Sequence, residues 1–236
     1  MTASRGCALA AVVTASLIAV SAGADHQPPA FSAHFVLEMV DGARRATSTG
    51  TLYLQSGTNA CLIVATPLRQ EMRLGPKELV IYYPERDLAL VGTVSARQAP
   101  PFFEALSVAL SDPTRTLPRG STLLERKQSG AILLTRWRVA ADREQLGEMR
   151  LEETREGVSR VEVLDLAGHP QRRFFITDRA RMAGRSVPRS IDAQYFTALG
   201  TEQRREIWTL SDLMAGQDRP SCAHVGPKTK VQELAW

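Results

Sequence analysis

The chain is predicted to be mainly β with a few helices (α+β), built on a strongly curved antiparallel sheet that forms a half-open, incomplete β-barrel. Three observations predict this. Short apolar runs separated by turn residues recur along most of the 236 residues. Helical periodicity is clear in one segment only, residues 102–112. The apolar strand faces therefore exceed the available helical cover, and a sheet in that position hides its face by wrapping on itself.

The N-terminal segment sets the compartment. Arg5 precedes an apolar run over residues 7–20, too short for a comfortable membrane span, and Ala22-Gly23-Ala24 supplies the small-residue pattern of a signal-peptidase site. Residues 1–24 are expected to be a cleaved signal peptide, and residues 25–236 a single domain with a C-terminal tail in the periplasm; the alternative is an uncleaved anchor. Cys7 lies at the start of the apolar run, and Asp25 stands where a lipid-modified cysteine would follow it. The mature chain is thus expected to be soluble.

Residues 50–87 pack several strands into a short stretch. Leu52 and Leu54 alternate with Tyr53 and Gln55, Ser56-Gly57-Thr58-Asn59 supplies a turn, and an apolar run follows over residues 60–65. Pro67 ends that strand, residues 69–74 form a third, Gly75-Pro76-Lys77 turns the chain, and residues 79–83 form a fourth that stops at Pro84. The pattern is an antiparallel meander.

Pro100-Pro101 then introduces FFEALSVALSD, where Phe102, Leu106 and Leu110 recur at helical spacing before Asp112-Pro113. Strand signals resume at residues 121–127, 131–139 and 148–153. In the second of these, alternation puts Leu133, Thr135, Trp137 and Val139 on one face and Leu134, Arg136 and Arg138 on the other. A hairpin spans residues 158–178, and two further short strands are expected at 186–191 and 206–210, joined by a segment around Tyr195 and Phe196.

The order of elements in GTLYLQSGTNACLIVATPLRQEMRLGPKELVIYYPERD, with its strand ending in Thr-Pro and its later Leu-Val-Ile-Tyr-Tyr-Pro, resembles the LolA family of periplasmic lipoprotein carriers and the wider outer-membrane lipoprotein-sorting proteins. VSRVEVLDLAGHPQRRFFITD resembles the late hairpin of that family. The two segments cover about a quarter of the chain. The resemblance implies a helical lid, formed by the 102–112 helix, over an apolar cavity that holds acyl chains. Strand parity and the resemblance together place Phe35, Leu37, Leu52, Leu54, Leu62, Val64, Leu79 and Ile81 inside, with Phe102 and Leu106 from the lid; a plain core role is the competing reading for each. The chain departs from the carriers where they have an Arg-Pro pair that latches the lid, since Ser56 and Gly57 stand there, and where they have an aromatic pair, since Ala60 and Leu62 stand there.

Cys61 and Cys222 are the cysteines that remain after residue 24, and an oxidising compartment permits a disulfide between them. Two separate thiols, one buried and one exposed, are the alternative. The net charge of +4 is spread as Arg44-Arg45, Arg172-Arg173 and Arg204-Arg205, without the dense basic block and stacking aromatics that nucleic-acid binding needs; anionic lipid headgroups or an acidic protein are the sharper partners for those pairs. No serine sits in a G-x-S-x-G elbow, and the four histidines lack metal-ligand spacing. The expectation is a monomeric non-enzymatic carrier or chaperone, without cofactor or metal. It would take the acyl chains of a lipoprotein or lipid toward the outer membrane, between an inner-membrane donor and an outer-membrane acceptor. The alternative is a regulatory module of the same fold that senses envelope lipid or lipoprotein and binds a membrane protein.

Overall fold

A computed structural model describes residues 30–56, 59–75, 77–93, 120–141, 144–216 and 222–233, with Ala109, Thr114 and Leu117 from the connection between. The first six strands are β1 (Phe31–Asp41), β2 (Arg44–Ser56), β3 (Asn59–Thr66), β4 (Gln70–Leu74), β5 (Glu78–Tyr83) and β6 (Leu88–Thr93). The next four are β7 (Thr122–Ser129), β8 (Ile132–Ala141), β9 (Glu144–Thr154) and β10 (Gly157–Leu164). The last four are β11 (Pro170–Met182), β12 (Arg185–Phe196), β13 (Glu202–Ala215) and β14 (Lys230–Glu233). They form one sheet in the order β14-β6-β5-β4-β3-β2-β1-β13-β12-β11-β10-β9-β8-β7. Every pairing is antiparallel except β14 on β6, which is parallel.

The sheet is open and curled, with β14 and β7 as its two edges, and it does not close into a barrel. Its curl has local causes. Register shifts interrupt the ladders at Ser32/His34, Thr49/Gly50, Val158/Arg160 and Ile176/Asp178, and such bulges bend a strand and increase its twist. At Gly50 a Cβ would lie 2.1 Å from the Ile63 carbonyl oxygen, so only glycine lets β3 approach β2 at the bulge.

Alternation assigns the faces. In β1, Phe31, Ala33, Phe35 and Leu37 are buried while His34 and Glu38 are exposed, and the same period places one residue in two of each strand on an inner face. One apolar cluster runs along that face from Leu79 in β5 through Leu62, Leu52, Phe35, Trp208, Ile191 and Phe174 to Leu151 in β9. A second, smaller cluster lies on the outer face of β3 to β6, where Val80, Ala89 and Cys61 pack under Cys222 and Ala223 of the C-terminal tail.

The meander is where the sequence puts it. The expected Tyr195/Phe196 connection is instead the end of a twelve-residue β12, and the short 206–210 strand is the middle of a fourteen-residue β13. The first strand does not start a simple meander: β1 lies at the centre of the sheet, between β2 and β13. The expected helix at 102–112 lies outside the described residues except for Ala109, which is buried against the inner-face cluster; Leu117, half-buried, packs at the margin of that cluster. The regular helical element among the described residues is a 3-10 turn at Pro84–Arg86. Residues 1–24, the expected signal peptide, also lie outside them. No helix among the described residues is long and apolar enough to cross a membrane.

Candidate functional site

The inner face gathers eight of the ten residues that the sequence nominates. Register lines them up strand by strand: Phe35 faces Gly50, Leu52 faces Leu62, Leu62 faces Met72, Met72 faces Ile81, and Leu74 faces Leu79. Leu54 lies opposite Phe31 and Ala60, and Val64 opposite Gly50 and Gln70. Phe35, Leu52, Leu62, Val64 and Leu79 are fully buried, Leu37 and Leu54 nearly so, and Ile81 is half-buried beside Met72. Phe102 and Leu106 lie outside the described residues.

Sequence reasoning missed most of the second half of this face. Trp208, Ile191, Phe174, Val161 and Leu151 continue it without a break. The alternation in RVEVL and EIWTL carries the signal, but it is diluted there by charged residues on the opposite face. Aromatic bulk is unevenly distributed. Phe35 and Trp208 stand 5.5 Å apart between ring centres and Phe174 meets Tyr195 edge-on at 6.1 Å, whereas β2 to β5 line the face with aliphatic side chains.

One carboxylate interrupts this apolar floor. Glu206 has no exposed surface, accepts hydrogen bonds from Arg204 and from Trp208 Nε1 (3.3 Å), and lies opposite Ala193 and Met39. Burial pushes its carboxyl above the ordinary carboxylate value, against the pull of Arg204 and Trp208. Arg204 in turn stacks over Tyr195 at 5.7 Å, and its Nε is buried with no hydrogen-bond partner among the described residues.

The outer face of β7 to β13 is different chemistry. Arg136 bridges Glu125 and Glu148 at 2.9 Å each, and Arg150 reaches Glu148 at 2.7 Å and Glu162 at 3.7 Å. Arg173 donates to Glu162 at 2.6 Å, and Arg205 to Asp192 at 2.6 Å. Arg136 first, then Arg150, hold the Glu148 carboxyl down to about 2. A shallow groove of about 440 Å³ on this surface is edged by three acids, Glu125, Glu152 and Glu162, and three guanidiniums, Arg136, Arg150 and Arg160, already paired with one another. Groups of histidine, cysteine and carboxylate able to hold a metal ion are absent among the described residues.

The outer face of β3 to β6 is closed by the tail. Cys61 and Cys222 are bonded, with Cα atoms 6.1 Å apart, across 161 residues of sequence. Ala223 N donates to Glu71 (2.9 Å), Thr229 Oγ1 to Asp87 (2.8 Å) and Lys230 N to the Asp87 carbonyl (3.0 Å), which delivers β14 to the edge of β6.

No protein-family model and no curated protein matches the chain. Solved structures do. A LolA superfamily protein from Nitrosomonas europaea superposes with a TM-score of 0.57 at 11% identity over 81% of this chain and 88% of its own. A domain described as an outer membrane lipoprotein-sorting protein, from Vibrio parahaemolyticus, gives 0.60 at 11% identity over 83% and 90%. A DUF1329 family protein from Desulfovibrio piger gives 0.58 at 9% identity over 84% and 90%. At such identities the likeness is one of architecture, and it agrees with the strand order and curled sheet described above: the chain has a LolA-like fold.

Proposed function

We propose that the protein is a periplasmic carrier or chaperone that holds the acyl chains of a lipoprotein or lipid against the inner face of its sheet, on the way to the outer membrane. The observation that carries this reading is the continuous apolar surface along one face of an open sheet, aliphatic over β2 to β5, in a fold shared with lipoprotein-sorting proteins. Transfer of each methylene from water to such a surface contributes about 0.8 kcal/mol, so one long acyl chain suffices for tight retention without cofactor or catalysis. Phe35, Leu37, Leu52, Leu54, Leu62, Val64, Leu79 and Ile81 form the floor.

Because most of those side chains have no exposed surface, acyl entry requires the cover of the inner face to yield. Ala109 and Leu117, from the connection between β6 and β7, pack on the cluster and are part of that cover in this reading. The Cys61 to Cys222 disulfide fits an oxidising compartment reached through residues 1–24 as a cleaved signal peptide. Release then needs a membrane or acceptor protein that offers an equally apolar surface.

A second reading rests on β7. This edge strand is exposed along its length and shows Leu123 at 46% and Leu124 at 42% exposure. An open edge of this kind accepts a strand of another chain, as a regulatory module bound to a membrane protein would use it. Native mass spectrometry of the protein, purified from periplasm without detergent, separates the two. Stoichiometric acylated species support carriage. A bare protein mass that also resists loading with acyl ligands favours the module.

A further inference from the structure

The three arginine pairs of the sequence, far apart along the chain, fall into register across five neighbouring strands. Arg172 in β11 faces Tyr195 in β12, Tyr195 faces Arg204 in β13, Arg204 faces Asp41 in β1, and Asp41 faces Arg44 in β2. One residue on, Arg173, Gln194, Arg205, Val40 and Arg45 form a parallel row. Side chains one residue apart on a strand point to opposite faces. The first row shares its parity with Phe174, Trp208, Phe35 and Leu52, so it lies on the inner face; the second lies on the outer face.

The two rows differ in what surrounds them. On the outer face Arg173 pairs with Glu162 and Arg205 with Asp192. The inner row stands where the apolar floor ends: Leu37, Trp208, Ala193 and Phe174 are buried, whereas Arg44 and Asp41 are exposed and Arg172, Arg204 and Tyr195 half-buried. With strands about 4.8 Å apart, Arg172, Arg204 and Arg44 have Cα atoms about 10 Å from one to the next, within reach of one bound group for side chains of this length. Glu206, one step inward and fully buried, fixes Arg204 from below, Tyr195 supports it from the side, and its buried Nε has no partner among the described residues.

We infer that Arg44, Arg172 and Arg204 form an anion-binding rim at the border of the apolar face, which takes the phosphate or carboxylate head of an amphiphile whose acyl chain lies on that face. The inference rests on the carrier reading and names its ligand class. Guanidinium forks match the geometry of phosphate and carboxylate oxygens, and a planar ring beside Arg204 holds its fork in place. A head group at the rim lets the tail run inward over Phe35 and Leu52 without dragging charge into the floor.

Calorimetric titration with dodecyl phosphate, with the neutral dodecyl maltoside and with inorganic phosphate, each below micellar concentration, tests the rim. Dodecyl phosphate should bind at least about tenfold tighter than the maltoside, and Arg44→Gln should remove most of that preference. Arg45→Gln, the same charge loss one residue away on the outer face, should leave it intact; Arg172→Gln provides a second inner-row variant with Glu206 and Arg204 untouched. Inorganic phosphate binding by itself, and lost in Arg44→Gln, would keep the anion site and assign it to the free ion. Equal affinity for the two amphiphiles, or equal effects of Arg44→Gln and Arg45→Gln, would overturn the rim and leave acyl carriage standing. Failure of both amphiphiles to bind would remove the carrier reading and the rim with it.

Discussion

The two halves of the sheet solve the same problem, an outer face exposed to water, in opposite ways. Over β3 to β6 the outer face is largely apolar, with Val80, Ala89, Tyr82 and Ile63 beside Glu71 and Arg73 of β4, and the chain covers its apolar part with its own tail, bonded through Cys61 and Cys222. Over β8 to β13 the outer face is left open to solvent and carries alternating acids and arginines paired across the strands. The first half thus carries apolar side chains on both faces and has a covalently fixed cover over the outer one; the second is amphipathic. The inner faces, by contrast, are continuous, which is what a binding surface for long apolar chains requires.

The largest effect expected from this contrast is on the disulfide. Closing a loop of 161 residues is worth about 5 kcal/mol in the chain-entropy account. Cys61→Ala with Cys222→Ala should therefore shift the denaturation midpoint strongly, and hydrogen exchange should rise first in β5, β6 and β14 and hardly at all in β9 to β12. Uniform loss of protection would contradict the division into halves. Next comes the junction between the halves, where Trp208 packs on Phe35 with no exposed surface. Trp208→Ala should cost about 3–5 kcal/mol by chemical denaturation, because a large cavity opens at the centre of the sheet and Glu206 loses a donor.

A smaller effect is expected at Glu162, which is buried and meets Arg173, Arg150 and Arg160. Glu162→Gln should lower stability by about 1–3 kcal/mol, since one buried charge-assisted hydrogen bond is lost while the arginines keep partial access to water. An unchanged midpoint would mean that the outer pairing of the second half is ornament on a sheet held by its inner face alone.

The smallest effects are those of pH, and the two faces should differ in sign. Glu148 on the outer face has its carboxyl held at about 2, below the ordinary 4.5. Its contribution is complete above 4.5 and is lost as pH falls toward 2, and Glu148→Gln should flatten that part of the stability profile. Glu206 on the inner face is pushed up by burial. Its ionisation therefore costs stability as pH rises above the ordinary carboxylate value, and a Glu206→Gln variant should lose that slope. Thermal midpoints recorded across the acid range check both; slopes of the same sign would contradict the environments assigned to the two carboxylates.

Legibility in the sequence follows the same division. The meander of β2 to β5 can be read residue by residue because Gly, Pro, Ser and Asn mark its turns and apolar residues recur in every one of its strands. β6 escapes because LALVGT is a short run directly after a tight turn, and β14 because KVQE has no apolar pattern; it is held by Thr229, Lys230 and Asp87. β12 and β13 are legible as strands but not in length, since Arg204 and Arg205 read as loop chemistry until Tyr195 and Asp192 are seen to satisfy them. The pairing of β1 with β13 joins the two ends of the chain, and local pattern carries no information on it. Strand parity found the aliphatic part of the candidate face. It missed Trp208 and Glu206, whose roles depend on neighbours from β1 and β12. The disulfide was legible as a pair of residues, and its geometry only from the fold.

The central claim is that acyl chains occupy the inner face over β2 to β5. Photocrosslinking with a diazirine-bearing fatty acid, followed by peptide mapping, tests it most directly. The account predicts adducts on inner-face residues such as Leu54, Met72 and Ile81, displaced by excess palmitate, with outer-face Ile63, Tyr82 and Arg136 unlabelled. Labelling confined to the exposed β7 edge or spread over the outer face would contradict it.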